Sequence, residues 1–296
     1  MSDVIIGKGK HRYSFRRDWA KLPRGWSFGD DRPSEWARPP QSALQGAVAP
    51  NGDIYVLARS ATPVTVFDLE GNFITAWAGH SFTPFVHGIR IDAAGHVWIA
   101  DSGRHIVQEF TAEGRLLRSF GSPEFPAPTH GGKPFNMPTG VAFASNGDFY
   151  VSDGYGNRRV HCFAADGTLK HSWGEAGSGP GQFSTVHYVA IDKQDRVYIT
   201  DRENHRIQIF APDGTHLTDW TGFVMPYDLA FGKATIVVGG DDGVSIWSHA
   251  RKLLLRIGSD TPYQGAFKIH GLWLDADENI YVAHFDRTVS KLTRLS

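Results

Sequence analysis

The chain repeats itself, and a repeat limits the possible folds more tightly than composition does. Segments starting at His87, Thr139 and His187 read HGIRIDAAGHVWIADSGRHIVQEF, TGVAFASNGDFYVSDGYGNRRVHCF and HYVAIDKQDRVYITDRENHRIQIF. Each parses into short strands rich in Val, Ile, Tyr and Phe, separated by turn residues. A first strand meets a turn (AAG, SNG or KQD), and a second strand ends in Asp101, Asp153 or Asp201. After a third strand, an EG or DG dipeptide, a strong hairpin signal, leads to a fourth ending in Phe120, Trp173 or Trp220. Weaker copies start at Gln45, Tyr227 and His270. The starts 45, 87, 139, 187, 227 and 270 are 42, 52, 48, 40 and 43 residues apart. Six four-stranded units of this length predict an all-β, six-bladed β-propeller occupying 1–296 as a single domain. The sixth copy ends after its third strand, so HRYSFRRDW (11–19) is expected to supply the missing outer strand and close the ring, leaving no free sheet edge there. The Pro-rich DDRPSEWARPPQ is expected to lie over one face. SPEFPAPTHGGKPFNMP, the longest loop between blades, is a candidate cap for a binding site.

Composition removes several function classes. The 30 basic and 31 acidic residues leave a net charge of −1, which gives no electrostatic case for nucleic acid or an anionic membrane surface. No apolar run is long enough to span a bilayer, and the N-terminus lacks a signal-peptide pattern, so a cytoplasmic location is expected. The one cysteine, Cys162, excludes an intrachain disulfide or thiolate cluster. A small-molecule substrate is the expected partner, and nothing in the sequence sets the oligomeric state.

Aligning the copies gives the chemical signal. The first-strand register reads Gln45, His87, Thr139, His187, Tyr227, His270. Histidine recurs in alternate blades, two, four and six. In a six-bladed ring these point at one axis with threefold spacing, the arrangement of a catalytic zinc with three protein ligands and one open position. Other divalent transition metals suit the same set. Just after the second strand the register reads Arg59, Ser102, Gly154, Arg202 and Phe285 in five blades. This places Arg59 and Arg202 near the channel mouth, where a guanidinium can hold a carboxylate. Tyr155 lies on the same rim. A phenol beside a metal ion and two guanidiniums is expected to ionise more readily and serve as a general base. His105 and His205 fall at the repeat's own histidine position and read as structural. His284 replaces the strand-ending Asp in blade six and is a candidate for either role.

DRENHRIQIF (201–210) and SDGYGNRRVHCF (152–163) resemble the NHL repeat. More specifically, residues 135–210 resemble peptidyl-α-hydroxyglycine α-amidating lyase in MPTGVA, VSDGYGNRR, WGE followed by PGQF, the His187 strand and DRENHRIQ. A weaker likeness runs from about Gln45 to the C-terminus. The resemblance implies a zinc held by His87, His187 and His270, a catalytic Tyr155, and active-site Arg59 and Arg202. It also implies a reaction that splits an N-acyl-α-hydroxyglycine into an amide and glyoxylate without an organic cofactor. Gly271 stands where the family has a calcium-binding Asp, which puts a structural calcium ion in doubt. Lys268 replaces a pocket methionine and Gly156 a cysteine. The expected activity is therefore a zinc-dependent lyase acting on a carbinolamide or hemiaminal that bears a carboxylate. The alternatives are a metal-dependent hydrolase such as a lactonase, or a non-catalytic NHL-repeat interaction scaffold.

Overall fold

A computed structural model describes residues 4–29, 42–77, 82–123, 125–128, 135–258 and 269–295. The Pro-rich 30–41, Lys268 and much of the long insert lie outside the described residues. The chain is an all-β, six-bladed β-propeller of antiparallel sheets, with only single 3-10 turns as helix among the described residues. None of its described helices is long and apolar enough to cross a membrane.

Alternation of apolar and polar residues makes the strands, and side-chain-capped turns fix their register. In the hairpin after Val86–Ile91, Asp92 Oδ1 accepts the backbone N–H groups of Ala94 and His96. Asp192 and Asp275 repeat the device. The turn needs one left-handed residue, Gly95 at φ +87°. Asp195 and Glu278 take that conformation in blades four and six, which a side chain without a β-branch tolerates better than one that has it.

Contacts divide the chain into two compact units. The unit Ser81–Asp228 holds three four-stranded sheets, whose first strands are Val86–Ile91, Gly140–Phe143 and Val186–Ile191. Gly140–Phe143 packs against both of the others. Aromatic side chains fill the space between sheets. Trp98, Phe149 and Phe163 form one cluster, and Tyr150, Phe183 and Phe210 another. Phe149 and Phe163 stack at 5.0 Å, and truncating either to Ala would cost about 3–5 kcal/mol.

The other unit, Met1–His80 with Leu229–Ser296, holds the remaining blades. The last sheet runs Ile269–Leu274, Ile280–His284, Val289–Leu295, His11–Arg16 and Val4–Lys8. His11–Arg16 pairs antiparallel with Val289–Leu295, Phe15 opposite Leu292, so the N-terminal segment supplies the fourth strand. Val4–Lys8 adds a fifth that the repeat did not foreshadow. Trp19, fully buried, then packs edge-on against Tyr281 at 4.9 Å.

The structure corrects one register. Ladders pair Val86 with Asp101 and Gly88 with Ala100, leaving His87 as the extra residue of a β-bulge. His187 and His270 are the extra residues of equivalent bulges. In blade one, Ala43 pairs with Ala58 and Gln45 with Leu57, so the counterpart of His87 is Leu44. The turn that follows, Ala49–Asp53, is as long as Asp92–His96, so counting back from it also places Leu44 at the His87 position.

Candidate metal and catalytic site

The bulge is what aims each histidine. An extra residue interrupts the ladder and turns its side chain out of the ordinary pleat. His87 and His187 are 2% and 1% exposed, with ring centroids 4.9 Å apart at 73°. Their ligand nitrogens lie within 4.8 Å of one another. His87 Nδ1 sits 2.7 Å from the Thr139 carbonyl oxygen, and His187 Nδ1 2.7 Å from that of Tyr227. A carbonyl only accepts, so both Nδ1 atoms carry the proton and both Nε2 atoms keep the lone pair. Gly88 makes this possible in blade two, where a Cβ would stand 2.4 Å from the same Thr139 oxygen.

Tyr155 joins them. Its hydroxyl donates to His87 Nε2 at 2.8 Å, with the two rings edge to face at 5.1 Å. Its ring lies 5.9 Å from that of His187. The flanking glycines follow from packing: a Cβ on Gly154 would stand 1.6 Å from the Val186 oxygen, and one on Gly156 2.3 Å from Asn136. The DGYG loop is thus pressed onto the residue before His187.

Arg202 completes the group. Its guanidinium carbon lies 5.7 Å from the Tyr155 ring centre and 5.3 Å from that of Tyr227. Its Nε donates to Glu203 Oε1 at 2.8 Å. Burial works against the Arg202 charge, yet Tyr155, Glu203 and Tyr227 hold its pKa above the usual arginine value. Burial also opposes ionisation of Glu203, but hydrogen bonds from Thr185 and Arg202 keep its carboxyl below the usual range. Two of these residues carried no assigned role in the sequence reading. Tyr227 shares the histidine register, which was the available signal, whereas Glu203 stood in the repeat's variable turn.

His270 and Arg59 belong to the other unit. His270 is 6% exposed and Nδ1 lies 2.9 Å from the Leu44 carbonyl oxygen, so it has the same tautomer as the other two. Gly271 offers no ligand, and a Cβ there would stand 2.3 Å from the Leu44 oxygen. Arg59 follows strand Ile54–Ala58. Its N–H donates to Ser42 O at 3.1 Å, and its backbone bridges to Gly29.

Other histidines serve the scaffold. His105 Nδ1 accepts the N–H of Met137, and His205 Nδ1 that of Met225. His161 spans Ser172 and Asp153. His284 Nε2 lies 2.7 Å from Ser290 Oγ, and burial pushes its pKa down to about 4.

Residues 83–110, 135–163 and 183–210 match the NHL repeat. NHL repeat-containing protein 3 of Homo sapiens is 32% identical over 182 residues, 57% of this chain and 52% of that one. A protein named probable peptidyl-alpha-hydroxyglycine alpha-amidating lyase, from Caenorhabditis elegans, is 35% identical over 224 residues, 71% of this chain and 63% of that one. Peptidyl-alpha-hydroxyglycine alpha-amidating lyase 1 of Drosophila melanogaster is 29% identical over 202 residues, 62% of this chain and 37% of that one. The chain thus spans about half the length of the first of these relatives and less than two thirds of the others. Among solved structures, a streptogramin B lyase superposes with a TM-score of 0.64 at 13% identity, covering 95% of this chain and 97% of that one. That likeness is one of fold.

Proposed function

From the premise that the chain is an NHL-repeat six-bladed β-propeller with amidating lyases among its relatives, we propose that it is a metal-dependent lyase that cleaves N-acyl-α-hydroxyglycine-type carbinolamides. His87, His187 and His270 are the proposed ligands of one divalent ion, zinc by preference. One observation carries the reading: all three imidazoles spend Nδ1–H on a backbone carbonyl and so present Nε2 as the donor. That second-sphere hydrogen bond is how proteins orient metal-binding histidines. Bound there, the ion would supply Lewis acidity to the substrate hydroxyl.

The chain's own residues would do the rest. The Tyr155 hydroxyl shares His87 Nε2, the lone pair a metal would use, so an ion held there would leave that hydroxyl free to meet the substrate. The Arg202 guanidinium lies 5.7 Å from the Tyr155 ring centre, and a cation so placed favours the anionic form of a neighbouring phenol. As base, Tyr155 takes the hydroxyl proton. The carbon–nitrogen bond breaks as the new carbonyl forms, and the proton passes to the departing amide nitrogen. The products are an amide and glyoxylate, with no oxidant needed. Arg202, with Arg59, is proposed to hold the substrate carboxylate.

Elemental analysis of the purified protein, paired with glyoxylate release from an N-acyl-α-hydroxyglycine, tests this. One divalent transition metal per chain is expected, lost in His187→Ala while the propeller stays folded. A metal-free wild-type protein that releases no glyoxylate would leave the scaffold reading, which is compatible with the NHL repeat-containing protein 3 relatives.

A further inference from the structure

In the unit Met1–His80 with Leu229–Ser296, a cavity of about 430 Å³ opens beyond the end of strand Ile54–Ala58. That volume is in the range of small-molecule sites. One wall is aromatic. Trp26 is 43% exposed and stands edge-on to Phe73 at 5.5 Å, and the buried Phe28 leans on Phe67 at 6.1 Å. The lining also includes Ser60, Thr62, Thr65 and Arg287. The backbone bridge between Gly29, which lines the cavity, and Arg59 ties this wall to one proposed carboxylate-binding arginine.

We propose that this cavity binds an aromatic acyl group carried by an N-acylated glycine-type ligand. The identity of the ligand's glycine half rests on the lyase reading above. The lining supports both halves of the assignment. An indole left open to water beside a second aromatic ring is a stacking surface for a flat apolar group. The Ser60–Thr62 turn supplies hydroxyls to the same lining. Ser60 Oγ donates to Thr62 O at 2.8 Å, which leaves its oxygen able to accept from an amide N–H. A purely apolar acyl chain would make no use of those groups or of Arg287.

Calorimetric titration of the full chain with N-benzoylglycine and N-acetylglycine tests the cavity without turnover, because neither compound carries the cleavable hydroxyl. N-benzoylglycine is expected to bind at least tenfold more tightly. Trp26→Ala, which removes the stacking surface, and Ala61→Trp, which fills the cavity from an exposed position, should each bring that ratio to within twofold. N-acetylglycine affinity should stay unchanged. Equal affinity for both compounds, or a preference untouched by both variants, overturns the assignment. Turnover of the matching α-hydroxyglycines separates the two readings. A benzoyl preference with no glyoxylate from any compound removes the lyase and keeps the cavity. Glyoxylate without a benzoyl preference does the reverse.

Discussion

The blades of Ser81–Asp228 and those of the other unit share one strand pattern but are tied down differently. In the first, each second strand ends in a fully buried aspartate that reaches back to the loop leading into its own blade. Asp101 accepts the N–H of Thr83, Asp153 that of Asn136 and Asp201 that of Ser184, at 2.8–2.9 Å and 17 or 18 residues back in the chain. His105 and His205, held at φ +58° and +55°, accept an N–H from the loop leading into the next blade. In the other unit the same register carries Ala58, Gly240 and His284, and the last blade is instead completed by strands from the N-terminus. Strand pattern alone is therefore enough to build a blade, while the carboxylate staple is an addition that immobilises its loops. The NHL match covers only the stapled blades. His87, Tyr155, His187 and Arg202 all lie in that unit, where a proton-transferring group benefits most from a fixed loop.

The comparison can be broken at several points. The largest effect is expected where the stapled unit meets the chemistry. Tyr155→Phe should keep bound metal and the melting temperature yet lower glyoxylate release by roughly 10²–10⁴-fold, the usual cost of losing a general base. A Phe variant with full turnover would move the chemistry away from this loop.

Next comes the staple itself. Asp201 also accepts from Asn204 and from Arg206 Nε, and Arg206 is only 7% exposed. Asp201→Ala takes from that cation one of its two carboxylates, Asp219 being the other, and leaves the Ser184 N–H without its acceptor, so it should cost about 3 kcal/mol in urea unfolding. A loss below about 1 kcal/mol would show that the staple is dispensable.

The unstapled unit should respond to acid where His284 replaces the aspartate. Its folded pKa of about 4 lies below the unfolded value of about 6.5, so the unfolded chain binds the proton first. Stability is then highest above pH 6.5 and falls as the pH drops toward 4, by about 2 kcal/mol between pH 7 and pH 5. Urea unfolding at the two pH values should show that slope reduced in His284→Gln. An unchanged slope would place the acid sensitivity elsewhere.

The smallest effect is the secondary tie. His105→Ala removes the acceptor for one backbone N–H and should cost about 1 kcal/mol in the same assay. Burial outweighs the nearby Asp153 and Asp101 and lowers the His105 pKa, so the neutral acceptor form persists at neutral pH.

Much of this was legible along the chain. The blade count, the N-terminal closure through His11–Arg16 and the grouping of His87, His187, Tyr155 and Arg202 all follow from one register repeated at near-constant spacing. Local pattern encodes them because strand alternation and turn chemistry act over a few residues. Gly154 and Gly156 were visible as letters, but only the approach of Val186 and Asn136 explains them. Leu44 was misaligned because the Gln-Gly pair at 45–46 mimics the His-Gly pair at 87–88, whereas counting back from the second strand puts Leu44 level with His87. The fifth strand Val4–Lys8 was invisible because its partner is itself an unrepeated segment.

The amino-acid sequence by itself determined the six-fold strand pattern and which residue types share a register. Tertiary structure decided what each residue does in that register. A bulge turns His87 out of its pleat, a neighbouring carbonyl settles which ring nitrogen holds the proton, and packing sets Arg202 over Tyr155 rather than in solvent. The last two are contacts between segments 52 and 47 residues apart, formed only when sheets pack face to face, and no local spacing rule reports them.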